Sequence, residues 1–512
     1  MKTQPKLSIS LFRLYTTSFL CGAMVMALEM TGSRVLAPYL GTSLIVWTSL
    51  IGIVLASLSI GYWYGGLVAD KHPNVSLLAK IIFGGGVYIA ATAFSYPVVL
   101  GVLTAGKTNL YALAVICSIV LFAIPGILLG MVSPFVVRLA VRDVGSTGTI
   151  VGRLYALSSI GSILGTFLGG FILIAFFKVG TILFLIATIL IFVALLVQGQ
   201  KPVFPNRKNA MITMTVFLGG GGWFQLYGNS FLPVGEHWDT PYNHICVYRI
   251  GNYRYLQTDP GSTCQSSMLI DRPNDLMSRY CQYNELAFHF HPNLQNMLVI
   301  GGGGYCLPKH VISSHQNVNV DVVEIDPGIT KVAREWFGLT DAMLDNQRLR
   351  IAHEDARRFL RRAKNEIHSA GKPKYDFVFG DAFNSHYNIP SHLTTKEYME
   401  EVSECLSDDG IFMTNIIASI SGEKSKLFQG FHRALTEVFP QVEVFLVSGP
   451  NDEKYVQNIV VVGFKRRYDL KTDEQTPEKV ISLMNRHKKV KVSNTVPPLT
   501  DAFAPVEWYV LM

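Results

Sequence analysis

The first 200 residues carry very little charge. Between residues 11 and 200 only nine side chains are basic and three are acidic, although Lys, Arg, Asp and Glu make up 16% of the whole chain. This region contains six long, mostly apolar segments, at about 11–33, 44–69, 76–101, 109–137, 149–176 and 179–198. Because about 20 apolar residues in a helix span the hydrocarbon core of a bilayer, residues 1–200 are predicted to form a transmembrane bundle of six α-helices.

The basic residues of this region are unevenly distributed between its loops. The N-terminal tail, the second and fourth loops and the segment after the sixth helix carry most of them, whereas the opposite loops carry only Arg34, Lys107 and Lys178. Loops rich in Lys and Arg stay on the cytoplasmic side of a membrane. We therefore expect a multi-pass protein of the inner or plasma membrane, with the lipid bilayer as a partner and the second half of the chain facing the cytoplasm.

Residues 201–234 are interpreted as a linker that contains one further apolar stretch, at 210–223. This stretch is short and ends in four consecutive glycines, Gly219 to Gly222, so an interfacial segment and a seventh membrane-spanning helix both stay open. A seventh crossing would place the second half outside the cytoplasm. The seven cysteines argue against that crossing, because they are odd in number and form no C-x-x-C pair, as is typical of free thiols in a reducing compartment.

Nucleic acids and metal ions are both predicted not to be ligands. The net charge of +7 is not arranged as a stripe of Lys and Arg interleaved with aromatic residues, which is the pattern of nucleic-acid-binding proteins. His289 and His291 are two residues apart and have no further candidate ligands near them in the sequence. They are interpreted as packed or solvated side chains rather than metal ligands.

A function in transport is a weaker alternative, suggested by two features of the helical region. Glu29 lies within or at the end of the first apolar segment, where a carboxylate is costly and usually faces a partner such as Arg34 or a wet cavity. The stretch 61–71 loosely resembles the loop between the second and third helices of major facilitator transporters, although the chain has only half of their usual number of helices.

From about residue 235 the pattern changes to short apolar runs. Two runs at 244–249 and 253–258 predict a small antiparallel β piece at the start of this half. Strands are predicted next at 296–300, 318–325, 349–352, 375–380, 411–417, 442–447 and 458–464, and helices at 275–290, 307–313, 329–336, 356–363 and 395–406. This alternation is typical of a doubly wound parallel sheet, so residues 235–512 are predicted to form an α/β Rossmann-like domain.

Acidic residues and glycines follow the predicted strands of this domain. The first strand runs into Gly301 to Gly304, and Glu324, Asp355 and Asp381 follow the next three. In such a sheet the ligand binds at the carboxyl ends of the strands, and an acid after the second strand is placed to bind a ribose diol. The nicotinamide fingerprint G-x-G-x-x-G would require glycine at Cys306. An adenosyl sulfonium cosubstrate of the S-adenosylmethionine type is therefore favoured over a dinucleotide.

An ordered set of motifs resembles the polyamine aminopropyltransferase (spermidine synthase) family, in particular its membrane-fused branch with an N-terminal multi-helix region. The resemblance covers about residues 242–464 and extends to the C-terminal stretch 499–507. Its motifs are Pro-Tyr-Asn-His-Ile at 241–245, Gln265, Tyr-Asn-Glu at 283–285, Leu-Val-Ile-Gly-Gly-Gly at 298–303, Val-Glu-Ile-Asp at 323–326, Asp-Ala at 355–356 and Asp-Ala-Phe-Asn at 381–384.

The resemblance implies a transferase that moves a 3-aminopropyl group from decarboxylated S-adenosylmethionine to putrescine or a related amine and releases methylthioadenosine. Asp381 would be the catalytic base, because an alkylammonium must lose a proton before it can act as a nucleophile. The residues implied to bind the cosubstrate are Asn243, Asn284, Gly301, Gly302, Gly303, Glu324, Asp355 and Ala356, and those implied to line the amine site are Tyr283, Asn384 and Tyr455. The cosubstrate would be the only adenosyl ligand, with no permanently bound cofactor, and a homodimer is implied by the soluble members.

Three features depart from the family pattern. The glycine loop of the family carries at its fourth position an acid that binds the aminopropyl ammonium of the donor and repels the carboxylate of intact S-adenosylmethionine, and Gly304 stands there. The second acid after the catalytic one is Asn384, and the polar amides before and after the hairpin are the shorter Asn243 and Asn284. A methyltransferase that uses intact S-adenosylmethionine therefore stays open, as does a transporter or sensor that binds an adenosyl ligand without turnover. The substitution Gly304→Asp is expected to raise discrimination for the decarboxylated donor.

Overall fold

The computed structural model describes residues 9–41, 43–105, 109–141, 147–198, 213, 215–223, 235–258, 264–345, 347–382, 389–448, 453–490 and 495–511. The chain divides into two compact units, residues 1–234 and 235–512.

Six long helices make up most of the first unit. They are α1 (Leu11–Leu40), α2 (Leu44–Lys71), α3 (Val75–Thr104), α4 (Leu110–Ala140), α5 (Thr147–Phe176) and α6 (Val179–Val197). Polar side chains cap the first three, because Ser10, Ser43 and Asn74 each accept a hydrogen bond from a backbone N–H of the first turn. All six are long and apolar enough to cross a membrane, so the prediction of six apolar helices is confirmed.

Small residues let these helices approach closely. A Cβ atom at Gly161 or Gly165 of α5 would lie 2.0 or 2.1 Å from the carbonyl oxygen of Phe19 or Ala23 on α1. The hydroxyl of Ser18 also donates to the carbonyl of Leu154 across the same contact (3.0 Å). Glycine at these two positions thus permits the close packing, and any larger residue there would push α1 and α5 apart.

The apolar stretch after α6 contains a short helical segment. Residues 215–223 are helical, and the hydroxyl of Thr181 on α6 donates to the carbonyl of Gly221 (3.1 Å). Positions 220 and 221 lie against the ring of Phe184. Residues 210–212 and 214 of the predicted stretch lie outside the described residues.

The second unit begins with a small antiparallel sheet. Its strands are β1 (Glu236–Asp239), β2 (His244–Ile250), β3 (Tyr253–Gln257) and β4 (Ser266–Leu269), and they pair in that order. The hairpin of β2 and β3 confirms the predicted small β piece.

A large sheet with helices on both faces forms the rest of the unit. Its strands are β5 (Asn296–Ile300), β6 (Asn319–Val323), β7 (Leu349–Ala352), β8 (Tyr375–Gly380), β9 (Leu406–Ala418), β10 (Gln441–Leu446), β11 (Gln457–Phe464) and β12 (His487–Lys488). The helices are α7 (Asn284–Phe290), α8 (Cys306–Ser314), α9 (Pro327–Trp336), α10 (Asp341–Leu344), α11 (Ala356–Ala370), α12 (Lys396–Cys405), α13 (Lys426–Thr436), α14 (Glu478–Met484) and α15 (Val506–Leu511). The predicted α/β Rossmann-like class is confirmed.

The strand order of the large sheet is β7-β6-β5-β8-β9-β11-β10-β12. β5 to β9 pair in parallel, but β11 lies antiparallel between β9 and β10. The predicted parallel sheet is therefore confirmed for β5 to β9 and wrong for β10 to β12. Only residues 447–456 connect β10 to β11, and a parallel crossover requires a dozen residues or more.

Candidate active site

The reversal of strand order lies between β5 and β8. The chain passes from β5 outward to β6 and β7, and then returns to place β8 on the other side of β5. In an open α/β sheet, ligands bind at the carboxyl ends of the strands beside such a switch point. The segments that follow β5, β6 and β8 are the glycine-rich loop, Glu324 and Asp381, so the structure brings these sequence-predicted elements to one edge.

The glycine-rich loop begins with a residue that has to be glycine. Gly301 has φ +96°, and a Cβ atom there would lie 2.4 Å from the carbonyl oxygen of Asp381. The backbone N–H of Asp381 in turn donates to the carbonyl of Ile300 (2.8 Å). The loop after β5 and the catalytic candidate after β8 are therefore in direct backbone contact.

The carboxylate of Glu324 is buried and is fixed by backbone donors. One oxygen accepts from the N–H of Gly302 and the other from the N–H of Asp326, both at 2.8 Å. Burial raises the pKa of Glu324, although these hydrogen bonds act in the opposite direction. Each oxygen keeps a second lone pair, so the group can accept the two hydroxyls of a ribose while it holds the loop.

Asp326 is the N-cap of α9. Its side chain accepts from the backbone N–H of Gly328 (2.9 Å). Its second oxygen accepts from the hydroxyl of Thr240 (2.7 Å) and from Nδ2 of Asn243 (2.8 Å). The structure thus places Asn243, predicted as a cosubstrate ligand, against this capping carboxylate rather than in the open site.

Asp355 follows β7 and is the N-cap of α11, whose first residue is the buried Ala356. One oxygen of Asp355 accepts from the backbone N–H groups of Arg357 and Arg358 (3.0 and 3.1 Å), and the other lies 3.0 Å from Nε2 of His392. Burial by itself would raise the pKa of Asp355, but the hydrogen bonds from Arg358 and His392 outweigh it and lower the pKa. The second oxygen remains the one that an adenine amino group could share.

Asp381 has two side-chain partners. The hydroxyl of Tyr280 donates to its Oδ2 (2.7 Å), and Nδ2 of Asn415 lies 3.4 Å from its Oδ1. Burial raises the pKa of Asp381 to about 6, against the two hydrogen bonds, which lower it. A carboxylate with a pKa near 6 is ionised at neutral pH and is basic enough to accept a proton from an amine in the transition state.

Tyr283, predicted at the amine site, and Asn284, predicted as a cosubstrate ligand, both lie deeper in the domain. Tyr283 is buried and packs against the ring of Phe445, with ring centroids 5.6 Å apart. Asn284 is completely buried, and its Nδ2 donates to the carbonyl of Cys281 (2.7 Å). Its Oδ1 is buried and has no hydrogen-bond partner in the described part of the chain. In the described contacts Tyr280, rather than Tyr283, is the tyrosine bonded to Asp381.

Two further residues were predicted at the amine site, Tyr455 and Asn384. Tyr455 is 59% exposed and precedes β11. Asn384 lies outside the described residues. The roles of both stay predictions.

Sequence reasoning missed Tyr280, Asn415 and His392. Strand register could have indicated Asn415, because Gly380 pairs with Thr414 in the parallel ladder of β8 and β9, which places the next residues, 381 and 415, side by side. Tyr280 begins the 3₁₀ turn that ends at Tyr283, and a turn of this kind is not visible in the apolar pattern.

The fourth position of the glycine loop is enclosed. The backbone N–H of Gly304 donates to the hydroxyl of Ser266 (2.8 Å). A Cβ atom at this position would lie 2.8 Å from Cδ1 of Phe337 and 3.0 Å from Cβ of Ser266, and the Phe337 ring is fully buried. The expectation that Gly304→Asp alone would sharpen donor choice therefore has to be revised, because the aspartate would first displace the Phe337 ring.

Residues 283–472 match the family model described as the spermine/spermidine synthase domain. The chain is 28% identical over 223 residues to the polyamine aminopropyltransferase of Vibrio vulnificus, which is 43% of this chain and 69% of that protein. It is 30% identical over 172 residues to the polyamine aminopropyltransferase of Lachnospira eligens, which is 33% of this chain and 57% of that protein. Among solved structures it is similar to a probable spermidine synthase from Corynebacterium glutamicum, with 16% identity over 53% of this chain and 98% of that chain and a TM-score of 0.43.

The match to the family model lies in the second half of the chain. The predicted resemblance is confirmed there. The enzyme class that the resemblance implies, a transferase, agrees with the names of both curated relatives.

Proposed function

We propose that the protein is a membrane-bound aminopropyltransferase. It moves the 3-aminopropyl group of decarboxylated S-adenosylmethionine to putrescine or a related amine and releases methylthioadenosine. The observation that carries the proposal is the partly buried carboxylate of Asp381, which has a pKa near 6 and lies in backbone contact with the glycine-rich loop. The names of the curated relatives support the same reaction.

The reaction requires a neutral amine and an ionised base. Asp381 accepts a proton from the ammonium group of the acceptor, and the freed nitrogen lone pair attacks the propyl carbon next to the sulfonium. The new C–N bond forms as the C–S bond breaks. The electron pair of the C–S bond stays on the sulfur, which becomes the neutral thioether of methylthioadenosine. Asp381 then releases its proton to solvent, while the product nitrogen takes up or retains a proton according to the pH. Positioning of the amine by Asp381 also lowers the entropic part of the barrier.

The donor is held by groups that are already fixed before it arrives. Glu324 accepts the ribose hydroxyls, Asp355 accepts the adenine amino group, and the backbone of Gly301 to Gly303 lets the sulfonium come close to the sheet edge. Because backbone N–H groups orient both acids, the donor site requires little rearrangement on binding.

Methyl transfer from intact S-adenosylmethionine is the second candidate, and the packing at Gly304 favours it. In the family this position carries an acid that repels the carboxylate of intact S-adenosylmethionine. Here it is glycine, and the ring of Phe337 occupies the space that a side chain would need. The loop itself therefore offers no side-chain charge at position 304 against the carboxylate of the intact donor.

The proposed setting is a membrane with the second unit facing the cytoplasm. The six apolar helices and the distribution of basic residues among their loops support this topology. A homodimer is part of the proposal, with the lipid bilayer and a small-molecule amine as the other partners. Crosslinking in native membranes, together with protease accessibility of the second unit, tests the assembly and the topology.

The first experiment identifies the coproduct by mass spectrometry. Detergent-purified protein is incubated with decarboxylated or intact S-adenosylmethionine and a panel of diamines. Methylthioadenosine that forms only with an amine, and not with Asp381→Asn, is the expected result. S-adenosylhomocysteine instead would establish methyl transfer. Binding of both donors without any product would contradict both reactions and leave an adenosyl-binding transporter or sensor.

A further inference from the structure

Glu29 is an acidic residue in the interior of helix α1. This helix has 30 residues and is therefore about 45 Å long, with Glu29 about 5 Å from its centre. The hydrocarbon core of a bilayer is about 30 Å thick, so in the proposed membrane setting the carboxylate lies within that core. Among the described residues Glu29 has no ion-pair or hydrogen-bond partner. The pairing with Arg34 that the sequence suggested is thus not formed.

The side of α1 that carries Glu29 faces the other helices of the bundle. Residues four, seven or eleven apart lie on one side of an α-helix. The positions in line with Glu29 are all buried, and they are Ser18, Gly22, Ser33 and Leu36. Glu29 itself is only partly buried. Within a buried stripe, its carboxylate therefore reaches space that packed side chains do not fill.

Helix α4 has a π-helical turn beside Glu29. The turn comprises Ile119–Ala123. Its Phe122 packs so closely on α1 that a Cβ atom at Gly32 would lie 3.1 Å from the Phe122 ring. Because Gly32 is three residues after Glu29, the ring lies within about one helical turn of the carboxylate-bearing residue.

Helix α5 has a second π-helical turn on the other side of Glu29, at Leu168–Leu173. A Cβ atom at Gly169 in this turn would lie 3.3 Å from Cβ of Met30, the residue that follows Glu29. With about 100° between successive residues, Gly32 and Met30 lie about 160° apart around α1, and Glu29 lies between them. Turns of this kind are rare and are frequent at functional sites, so the two turns at one carboxylate indicate a binding site at this depth.

We propose that the first unit contains a transport site for a protonated amine, with Glu29 as its cation-binding group. The inference rests on the membrane setting of the proposed function and goes beyond its reaction. A buried carboxylate is costly unless a positive charge lies beside it, and such residues inside membranes mark pathways of ions and substrates. Since the protein supplies no partner among the described residues, the ligand supplies that charge.

The chemistry of the site favours an ammonium group over a metal ion. In the described part of the chain, no group of three or more His, Cys, Asp or Glu side chains could hold a metal ion. An alkylammonium instead brings three N–H donors of its own and is attracted to the face of an aromatic ring such as that of Phe122. The π-helical turn of α4 also presents backbone carbonyls to polar groups, because the hydroxyl of Tyr88 donates to the carbonyl of Val120 (2.8 Å). Amines are also the compounds on which the proposed reaction acts.

Uptake into vesicles tests the proposal. The full-length protein is reconstituted in vesicles of phosphatidylethanolamine and phosphatidylglycerol, and the entry of radiolabelled putrescine or spermidine is measured. Saturable uptake above that of protein-free vesicles is expected. Glu29→Gln should lower the uptake at least about tenfold, at an equal amount of reconstituted protein with an unchanged size-exclusion profile.

Asp70→Asn is the matched control, since it removes another carboxylate of the first unit. Asp70 lies at the end of α2, where it pairs with Arg138 (3.1 Å) and its side chain is 75% exposed. This variant is expected to take up amines like the wild type. An equal loss in Asp70→Asn and Glu29→Gln would overturn the assignment of Glu29.

Carboxyl labelling of the wild-type protein gives a measurement that depends on no variant. A hydrophobic carbodiimide reacts with carboxyl groups inside a membrane, and peptide mass spectrometry quantifies the adduct at Glu29. Putrescine or spermidine is expected to lower this labelling, whereas K⁺ at the same concentration should not. Equal labelling with and without the amine would overturn the inference, as would vesicles that take up protons but no amine.

The transport site and the proposed reaction can fail separately. Asp381→Asn is expected to retain amine uptake while it loses methylthioadenosine formation. Wild-type protein that forms methylthioadenosine but takes up no amine would remove the transport site alone. Amine uptake without methylthioadenosine would remove the reaction alone.

Discussion

The donor side and the acceptor side of the candidate site are built in different ways. On the donor side, Glu324 and Asp355 are fixed mainly by backbone N–H groups at the start of loops and helices. On the acceptor side, Asp381 has side-chain partners, Tyr280 and Asn415, which come from distant parts of the chain. Backbone donors are supplied by the fold whatever the neighbouring side chains are. The acceptor side is therefore the one that single substitutions can retune.

Removal of the carboxylate of Asp381 should have the largest effect. Asp381→Asn is expected to lower kcat by about 10²–10⁴-fold, the usual contribution of a general base, and to leave methylthioadenosine binding within about threefold. Steady-state kinetics and calorimetry measure the two quantities. Asp376→Asn is the matched control, because Asp376 lies at the opposite end of β8 and accepts from the backbone N–H groups of Gln295 and Asn296. Equal losses in both variants would show that strand stability, not a base, had been removed.

Glu324→Gln should weaken the donor side selectively. The amide cannot accept from both Gly302 and Asp326, and it offers one acceptor fewer to a ribose. Loss of hydrogen bonds to a charged group costs about 1.5–3 kcal/mol, so the KM for the donor should rise about 10–100-fold with a smaller change in kcat. Glu354→Gln is the control, since Glu354 pairs with Arg362 instead. A loss confined to kcat would contradict a role in donor binding.

Tyr280→Phe should move the pH dependence of the acceptor side. The Tyr280 hydroxyl stabilises the ionised form of Asp381, so its removal raises a pKa that already lies near 6. On the acid limb of the pH profile of kcat, activity falls because Asp381 becomes protonated. The midpoint of this limb should move to a higher pH by roughly half to one unit. Tyr283→Phe is the control and should leave the limb in place. An unchanged limb in Tyr280→Phe would show that this hydroxyl does not tune the base.

His392→Ala should have the smallest effect. Asp355 keeps its two backbone donors, Arg357 and Arg358, when His392 is removed, so its orientation should persist. The KM for the donor is expected to change less than about threefold, whereas Asp355→Ala should raise it about tenfold. A large change in His392→Ala would mean that the donor side also depends on a side-chain partner, and the contrast between the two sides would not hold.

The same contrast explains what could be predicted from the sequence. The strands at 296–300, 349–352 and 375–380 were predictable to the residue, because each is a short run with local boundary signals. The roles of Glu324 and Asp355 as strand-end acids depend on that local pattern. The contact of Tyr280 with Asp381 joins residues 101 positions apart, and the contact of Asn243 with Asp326 joins residues 83 positions apart. Such pairs depend on how separate elements pack, which periodicity does not encode.

The strand β11 was predicted at 458–464, but its antiparallel direction was not, for a related reason. Its apolar pattern is that of any buried strand, and its direction is fixed only by the short connection from β10. The six long apolar helices are the opposite case, because length and hydropathy alone identify them.

The packing of Phe337 against Gly304 couples these two positions. An acid at position 304 would meet the Phe337 ring, and a smaller residue at 337 would leave a cavity that costs about 2–5 kcal/mol. Either change alone is therefore expected to lower the stability of the domain, so an acid at position 304 requires a compensating change at position 337.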